Sequence, residues 1–470
     1  MSYAFIGSYF LSPYLSRFEE ALNLAAVSFE ASRPGPRATQ DPVDSDPNTA
    51  EPKPRTPGGG GNGGAASAPY KLIRSGNVGM TAILLFARRP AAIHNVQAAE
   101  CGFGVADMGN KGAVGLRVTY AEEGLLSPST SEPRTTELTF VATHLAPMEW
   151  NLNRRNANWR SIAGGLTFRN PRAVIEGLGP GLAGRLRDSA ASAPRTPEED
   201  AEDEWLMRRG EEGLAEHHDT LRDISIFRPS SHLFVSGDLN YRIASKTPPA
   251  LATFPSVHDG PDHWSGFLER DQLTRERLAG RTFHGMSEAP IAFPPTYKYD
   301  IVDGDGDGGA DGVPQWKWAS HRWPSWTDRV LYLAVPGWVK RRLGGRPADA
   351  DIAVRAYRSL PLMRTSDHQA VYFRAAVPLL SAAEMAAPDE AGGEGPGPAL
   401  EGDEADDPRV KLPVPVDADA WERRAAARRR EIMAGWSMFL WSTREGAVLI
   451  GTVLLASVTG WWLWQGLLSA

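Results

Sequence analysis

The sequence predicts an α/β domain, an α+β four-layer sandwich with helices outside, followed by one apolar C-terminal helix. Three observations carry this. Seven strand-length apolar runs outnumber three helical patterns, the chemically interesting polar residues fall at the ends of those runs, and 25 uncharged residues close the chain. Thr81–Arg88 is a continuous apolar run, and Gly112–Tyr120 alternates Val114, Leu116 and Val118 on one face. Glu137–Leu145, His232–Leu239, Arg329–Val335, Asp351–Arg358 and Gln369–Val377 complete the strands. Helical periodicity covers Ser12–Phe29, Asn151–Leu166 and Phe267–Ala279.

The chain has 470 residues, with 47 glycines and 37 prolines that cluster rather than spread. The stretch 32–69 has almost no large apolar residue, so a disordered insertion is expected there. Residues 185–216 read as a charged surface insertion. A catalytic domain over 1–377 is followed by an acidic Pro/Gly-rich linker, 378–422. With 50 basic and 57 acidic residues the net charge is −7, which disfavours a nucleic-acid partner. The single cysteine, Cys101, excludes a disulfide framework.

A basic and amphipathic juxtamembrane segment, 423–445, precedes a transmembrane helix expected at 446–468. About 20 apolar residues cross a bilayer core. Five arginines within Arg423–Arg430 put that flank in the cytosol, while Trp461, Trp462 and Trp464 suit the opposite interface. A single-pass protein of the endoplasmic reticulum or another endomembrane is the expectation, with its catalytic domain cytosolic.

Four strand-end segments carry chemistry: His144 in THL, Asp238 and Asn240 in SGDLNYR, Asp328 and Arg329 in WPSWTDRVLY, and Asp367 and His368 in TSDHQAV. Taken singly each has an ordinary structural explanation, since Gly-Asp pairs make turns and strand-end histidines often cap. Residues two apart on an extended chain face one side, so Asp238 and Asn240 are expected to project together. Acids, imidazoles and an amide gathered at strand ends suit metal-assisted attack of water on phosphorus.

The ordered motifs GNKGAV, THL, RRN, SGDLNYR, PPTYKYD, PSWTDRVLY and SDH resemble the inositol polyphosphate 5-phosphatase family of the exonuclease–endonuclease–phosphatase superfamily, over roughly Ser2–Val377. That resemblance implies a deoxyribonuclease-I-like two-sheet core, here lacking strands from one sheet. It also implies Mg²⁺ as cofactor and a phosphoinositide headgroup at a membrane surface, such as that of phosphatidylinositol 4,5-bisphosphate, as substrate. By the same resemblance Asp238 prepares the attacking water, Asn240 contacts the scissile phosphate, and His144 donates to it. His368 binds the phosphate and Asp328 orients that ring. Asp367 supports the metal or the histidine, and Tyr297 and Lys298 read the neighbouring phosphate. Lys111, Arg154, Arg155 and Arg329 complete the anion contacts.

Two departures stand out. The family's Trp before Ser-Gly-Asp is Val235, and the family's upstream Asn and metal-binding Gln-Glu are absent, with Met1–Gly7 resembling the segment just after them. Glu19, Glu20 and Glu30 are poor substitutes. The sequence therefore also allows a catalytically inactive, membrane-anchored phosphoinositide-binding protein, and the 470-residue form is expected to lack turnover. The run Asp303–Gly312 imitates a calcium loop, but its twelfth position is Pro314 rather than Glu, so a plain loop is expected.

Overall fold

The computed structural model describes residue 5 and residues 11–32, 69–126, 133–177, 219–302, 314–344, 350–387 and 402–468. Apart from residues 32 and 69, the expected insertions at 32–69 and 185–216 lie outside the described residues. So does the Asp303–Gly312 loop.

Helix α1 (Ser12–Ser32) leans on the hairpin of β1 (Lys71–Val78) and β2 (Thr81–Ala87). Asn23 pairs with both backbone groups of Tyr70, and Glu19 accepts from the Leu72 N–H at 3.1 Å. Glu30 pairs with Arg88. These glutamates are engaged at the α1–hairpin contact and none stands at the strand-end cluster. The hairpin turns at Gly79, whose φ of +54° glycine adopts without strain.

The main sheet contains β3 (Ile93–Gly102), β4 (Gly112–Leu126), β5 (Pro133–His144), β6 (Ser231–Asp238), β7 (Met286–Ser287) and β10 (Asp328–Leu333). The short strands β8 (Tyr299–Ile301) and β9 (Trp316–Trp318) form a separate ladder. Spatial order in the main sheet is β3-β4-β5-β6-β10-β7, antiparallel except for the parallel β5–β6 pair. The β5–β6 crossover carries α2 (Leu152–Gly165) and α3 (Pro171–Gly177), as a parallel connection requires.

Alternation along β6 sorts its side chains. Leu233 and Val235 enter one core with Trp159 and Ile162 of α2 and Leu166 just after it, while Phe234 enters another on the opposite face. There it packs on Phe140, Tyr332 and Phe373, the last from the hairpin of β11 (Ala353–Ser359) and β12 (Val371–Ala376). The α/β sandwich expectation is met, with the second layer supplied by separate two-stranded ladders rather than one sheet. Val235 is fully buried, so the strand accepts it where the family has Trp.

Short helices α4 (Gln272–Leu278), α5 (Gly337–Arg342) and α6 (Ala382–Met385) fill the periphery. The part of the expected linker that is described folds back onto the domain. Arg409 is buried on Asp407 and the Ala334 carbonyl, and Leu412 and Val414 pack on the central core. Helix α7 (Ala420–Ser442) then leads into α8 (Arg444–Leu468), the one helix among the described residues long and apolar enough to cross a membrane.

Candidate active site

Strand register assembles the site. His144 at the end of β5 stands opposite Asp238 at the end of β6, and Asp238 stands opposite Asp328 at the start of β10. Strands lie about 4.8 Å apart, so three strand ends place the three side chains within roughly 10 Å.

Two acid–imidazole pairs result. Asp328 Oδ2 accepts from His368 Nδ1 at 2.9 Å, from Thr296 Oγ1 at 2.7 Å and from Thr327 Oγ1 at 2.8 Å. With the proton on Nδ1, the Nε2 of His368 is the ring's remaining group for a ligand. Burial acts to lower the His368 pKa, but the hydrogen bond and charge of Asp328 prevail and raise it. Asp238 Oδ2 lies 3.2 Å from His144 Nε2. Burial disfavours the Asp238 carboxylate, yet the bond and charge of His144, with His368 and Arg242, hold its pKa below the usual value.

A close approach fixes Asp238. Gly237 has φ +143°, and a Cβ there would meet the Thr143 carbonyl oxygen at 1.9 Å. Asn240, in the left-handed region at φ +57°, donates its backbone N–H to Asp238 Oδ1 at 3.0 Å. Its side-chain amide donates to Asp238 Oδ2 at 2.9 Å and to the Leu145 carbonyl at 3.2 Å. Asn240 is 3% exposed, so the expected contact with the scissile phosphate is corrected. The amide hydrogens are already spent, and Asn240 orients Asp238.

Lys111 reaches in from the loop between β3 and β4, with Nζ 2.5 Å from His144 Nε2. Burial lowers its pKa, opposed by the charge of Asp238. The Tyr297 ring meets the His368 ring at a tilt of 37°, 4.5 Å between centroids, and the Arg242 guanidinium lies 4.6 Å from its centroid. Lys298 Nζ pairs with Asp367 Oδ2 at 2.5 Å; burial acts to lower the Lys298 pKa, and the Asp367 bond raises it overall.

Three other expectations are corrected. Asp367 does not hold the His368 ring, which belongs to Asp328, and its metal role is displaced by Lys298. Arg155 is fully buried, donating to the Ala146 and Met148 carbonyls and to Gln272 Oε1 at 2.7 Å. Arg329 is likewise buried against Asp271 and Glu288, at 3.0 and 2.6 Å. Neither can meet a substrate, because each is enclosed by internal acceptors. Arg154, its neighbour on α2, is exposed.

Sequence reasoning missed Arg242, Thr296 and Thr327. Arg242 donates to Asn240 Oδ1 at 2.5 Å and covers Tyr297. All three sit inside motifs already singled out, which is the signal that could have found them.

A divalent metal was tested against the donors present. Among the described residues no group of three or more His, Cys, Asp or Glu side chains is placed to hold an ion. Asp238 is spent on Asn240 and His144, and Asp367 on Lys298, so these residues do not by themselves build a metal centre.

Residues 62–374 match the model of endonuclease/exonuclease/phosphatase family 2, two thirds of the chain. The chain belongs to this family. As a member of endonuclease/exonuclease/phosphatase family 2, it is similar to inositol-1,4,5-trisphosphate 5-phosphatase 1 of Schizosaccharomyces pombe, 28% identical over 66% of this chain and 20% of the relative. Polyphosphatidylinositol phosphatase INP53 of Saccharomyces cerevisiae is 25% identical over 64% of this chain and 19% of the relative. Mouse phosphatidylinositol polyphosphate 5-phosphatase type IV is 37% identical over 30% of this chain and 18% of the relative. The chain thus spans about a fifth of the length of these curated relatives. Among solved structures, the inositol polyphosphate 5-phosphatase domain of SPsynaptojanin, crystallised with inositol (1,4)-bisphosphate and calcium ion, matches with TM-score 0.39 and 28% identity over 65% of this chain and 61% of that one.

Proposed function

We propose that this family 2 domain is a phosphatase that removes the 5-phosphate from a phosphoinositide such as phosphatidylinositol 4,5-bisphosphate. The observation that carries it is the meeting of two acid–imidazole pairs: His144, Asp238 and Asp328 on three adjacent strand ends, and His368 brought onto Asp328 from the segment just before β12. The kinship with inositol polyphosphate 5-phosphatases supports the substrate class.

In this mechanism the Asp238 carboxylate, kept anionic by its neighbours, accepts a proton from water as its oxygen attacks phosphorus. His368, held by Asp328 and readily protonated, donates Nε2–H to a phosphoryl oxygen as charge develops. Lys111 and His144 add positive and donor character on the other side. The bond from phosphorus to the inositol oxygen breaks, that oxygen takes up a proton from bulk water, and Asp238 returns to bulk water the proton it accepted. Tyr297 and Lys298 stand beside His368 to meet the adjacent phosphate, which requires Lys298 to exchange Asp367 for the ligand. Mg²⁺ finds no three-donor group among the described residues, so every step here belongs to side chains.

That same shortage of metal donors favours a second function, headgroup binding without turnover. For placement, the 25 residues of α8 extend about 37 Å at 1.5 Å each, enough for a hydrocarbon core of about 30 Å. We assign it as a single-pass anchor in the endoplasmic reticulum or another endomembrane, the domain cytosolic.

The test compares vesicles carrying phosphatidylinositol 4,5-bisphosphate with vesicles carrying the 5-phosphate alone. Loss of the 5-phosphate from the first, weakened far more by Lys298→Ala than from the second, is expected. Equal losses on both remove Lys298 as the discriminator, and binding without release selects the second function.

A further inference from the structure

Helix α7, whose basic segment was expected only to skirt a membrane, reaches the loop that supplies Lys111. Glu431 on α7 is fully buried, and its Oε1 accepts the Gly109 N–H at 2.6 Å. The carboxylate is clamped on its own helix by Arg424, at 2.5 and 3.1 Å, and by Arg428 at 3.3 Å. Arg424 also bonds Glu100 of β3 at 3.0 Å, which seats the helix on the sheet. From Gly109 the chain has no slack. A Cβ at Gly109 would meet Val78 Cγ1 at 2.4 Å, and the Lys111 carbonyl accepts from the Phe103 N–H at 3.0 Å. Two residues after Gly109, Lys111 reaches His144. At the other end of α7, Thr443 bonds the Phe439 carbonyl and accepts from the Gly446 N–H, so the corner into α8 is tied as well.

We infer that α7 is a strut joining the apolar C-terminal helix to the Gly109–Lys111 loop, and that Glu431 is a positioning residue for Lys111. A buried, charge-assisted bond to a backbone N–H is stiff, and removing the carboxylate leaves Arg424, among the described residues, only its bond to Glu100 and Arg428 only the Phe5 carbonyl. Anchoring would thereby set the geometry of the site and not only its distance from a membrane. This rests on the phosphatase proposal only in calling Lys111 part of that site.

The test uses the full chain in phosphatidylcholine vesicles containing phosphatidylinositol 4,5-bisphosphate, as parent, Glu431→Ala, Glu431→Gln and Asp417→Asn. The last neutralises the carboxylate paired with Arg423, an α7 ion pair other than that of Glu431. Amide exchange at Gly109, amine labelling of Lys111 and phosphate release are measured together. Glu431→Ala is expected to speed exchange and labelling about tenfold or more. Glu431→Gln, which keeps a carbonyl acceptor, falls between, and Asp417→Asn matches the parent. If Glu431→Ala does not fold, Glu431→Gln decides alone. Exchange and labelling unchanged in both Glu431 variants would overturn the strut. Failure of every form to release phosphate would count against the phosphatase proposal, while the exchange and labelling results still decide this one.

Discussion

At Arg329 the neighbours, not the motif, decide what a residue does. PSWTDRVLY offers Asp328 and Arg329 side by side, and strand alternation sends them to opposite faces. Asp328 opens into the site, and Arg329 enters a cage of Asp271 and Glu288. The sequence announces the acid, because it ends a strand and has His368 as a partner type elsewhere. It does not announce the cage, whose acids lie 58 and 41 positions away. Arg155 was hidden for the same reason, its Gln272 acceptor being 117 positions off. Asn240 was legible with the wrong reason: it does meet Asp238, but through a left-handed turn and not an extended strand. Arg329→Met is therefore expected to strand two buried carboxylates. The loss should be about 3–5 kcal/mol of unfolding free energy in urea, with the KM of the folded fraction unchanged. A raised KM with unaltered stability would return Arg329 to the binding surface.

Strands with alternating or continuous apolar runs, such as β4, β5, β6 and β10, were readable. β1 and β3, written KLIRSGNV and IHNVQAAECG, were not, because their interrupted pattern resembles loop and only tertiary packing makes them strands. Strand β6 also carries a titration. His232 is buried with Nε2 3.1 Å from the Pro378 carbonyl oxygen, and burial, aided by the charge of Arg409, lowers its pKa to about 4. The unfolded imidazole titrates near the ordinary histidine value of 6.5, so between these values the unfolded chain binds more protons. Stability from this group is full above about pH 6.5 and is lost as pH falls toward 4, about 3 kcal/mol in all. His232→Gln should flatten that acid limb of the urea-midpoint profile. Parallel profiles for the two proteins would mean His232 is not the titrating group.

For the whole molecule, the layered α/β domain and the terminal apolar helix were legible from pattern and length. The way the chain returns on itself was not. Composition made 402–419 look like linker, whereas Arg409, Leu412 and Val414 pack on the domain and lead α7 to β3. Acidic, proline-rich composition hides a few well-placed apolar residues. In topology, a glycosylation acceptor fused after Ala470 should be modified in the lumen, and one fused at Met1 should not. The reverse pattern would contradict an arginine-rich cytosolic flank.

The central claim is that the Asp238–His144 and Asp328–His368 pairs together hydrolyse a phosphate ester. Its most direct measurement is inorganic phosphate released from phosphatidylinositol 4,5-bisphosphate vesicles by the full chain, with Mg²⁺ supplied, beside Asp238→Asn and His368→Ala. Where the sequence reading expects no turnover, the two assembled pairs predict turnover in the ordinary enzyme range of about 1–10³ per second for the parent. Each variant should fall on the order of 10²-fold or more. Release by the variants within a factor of about ten of the parent, or headgroup binding by the parent with no release at all, would contradict it.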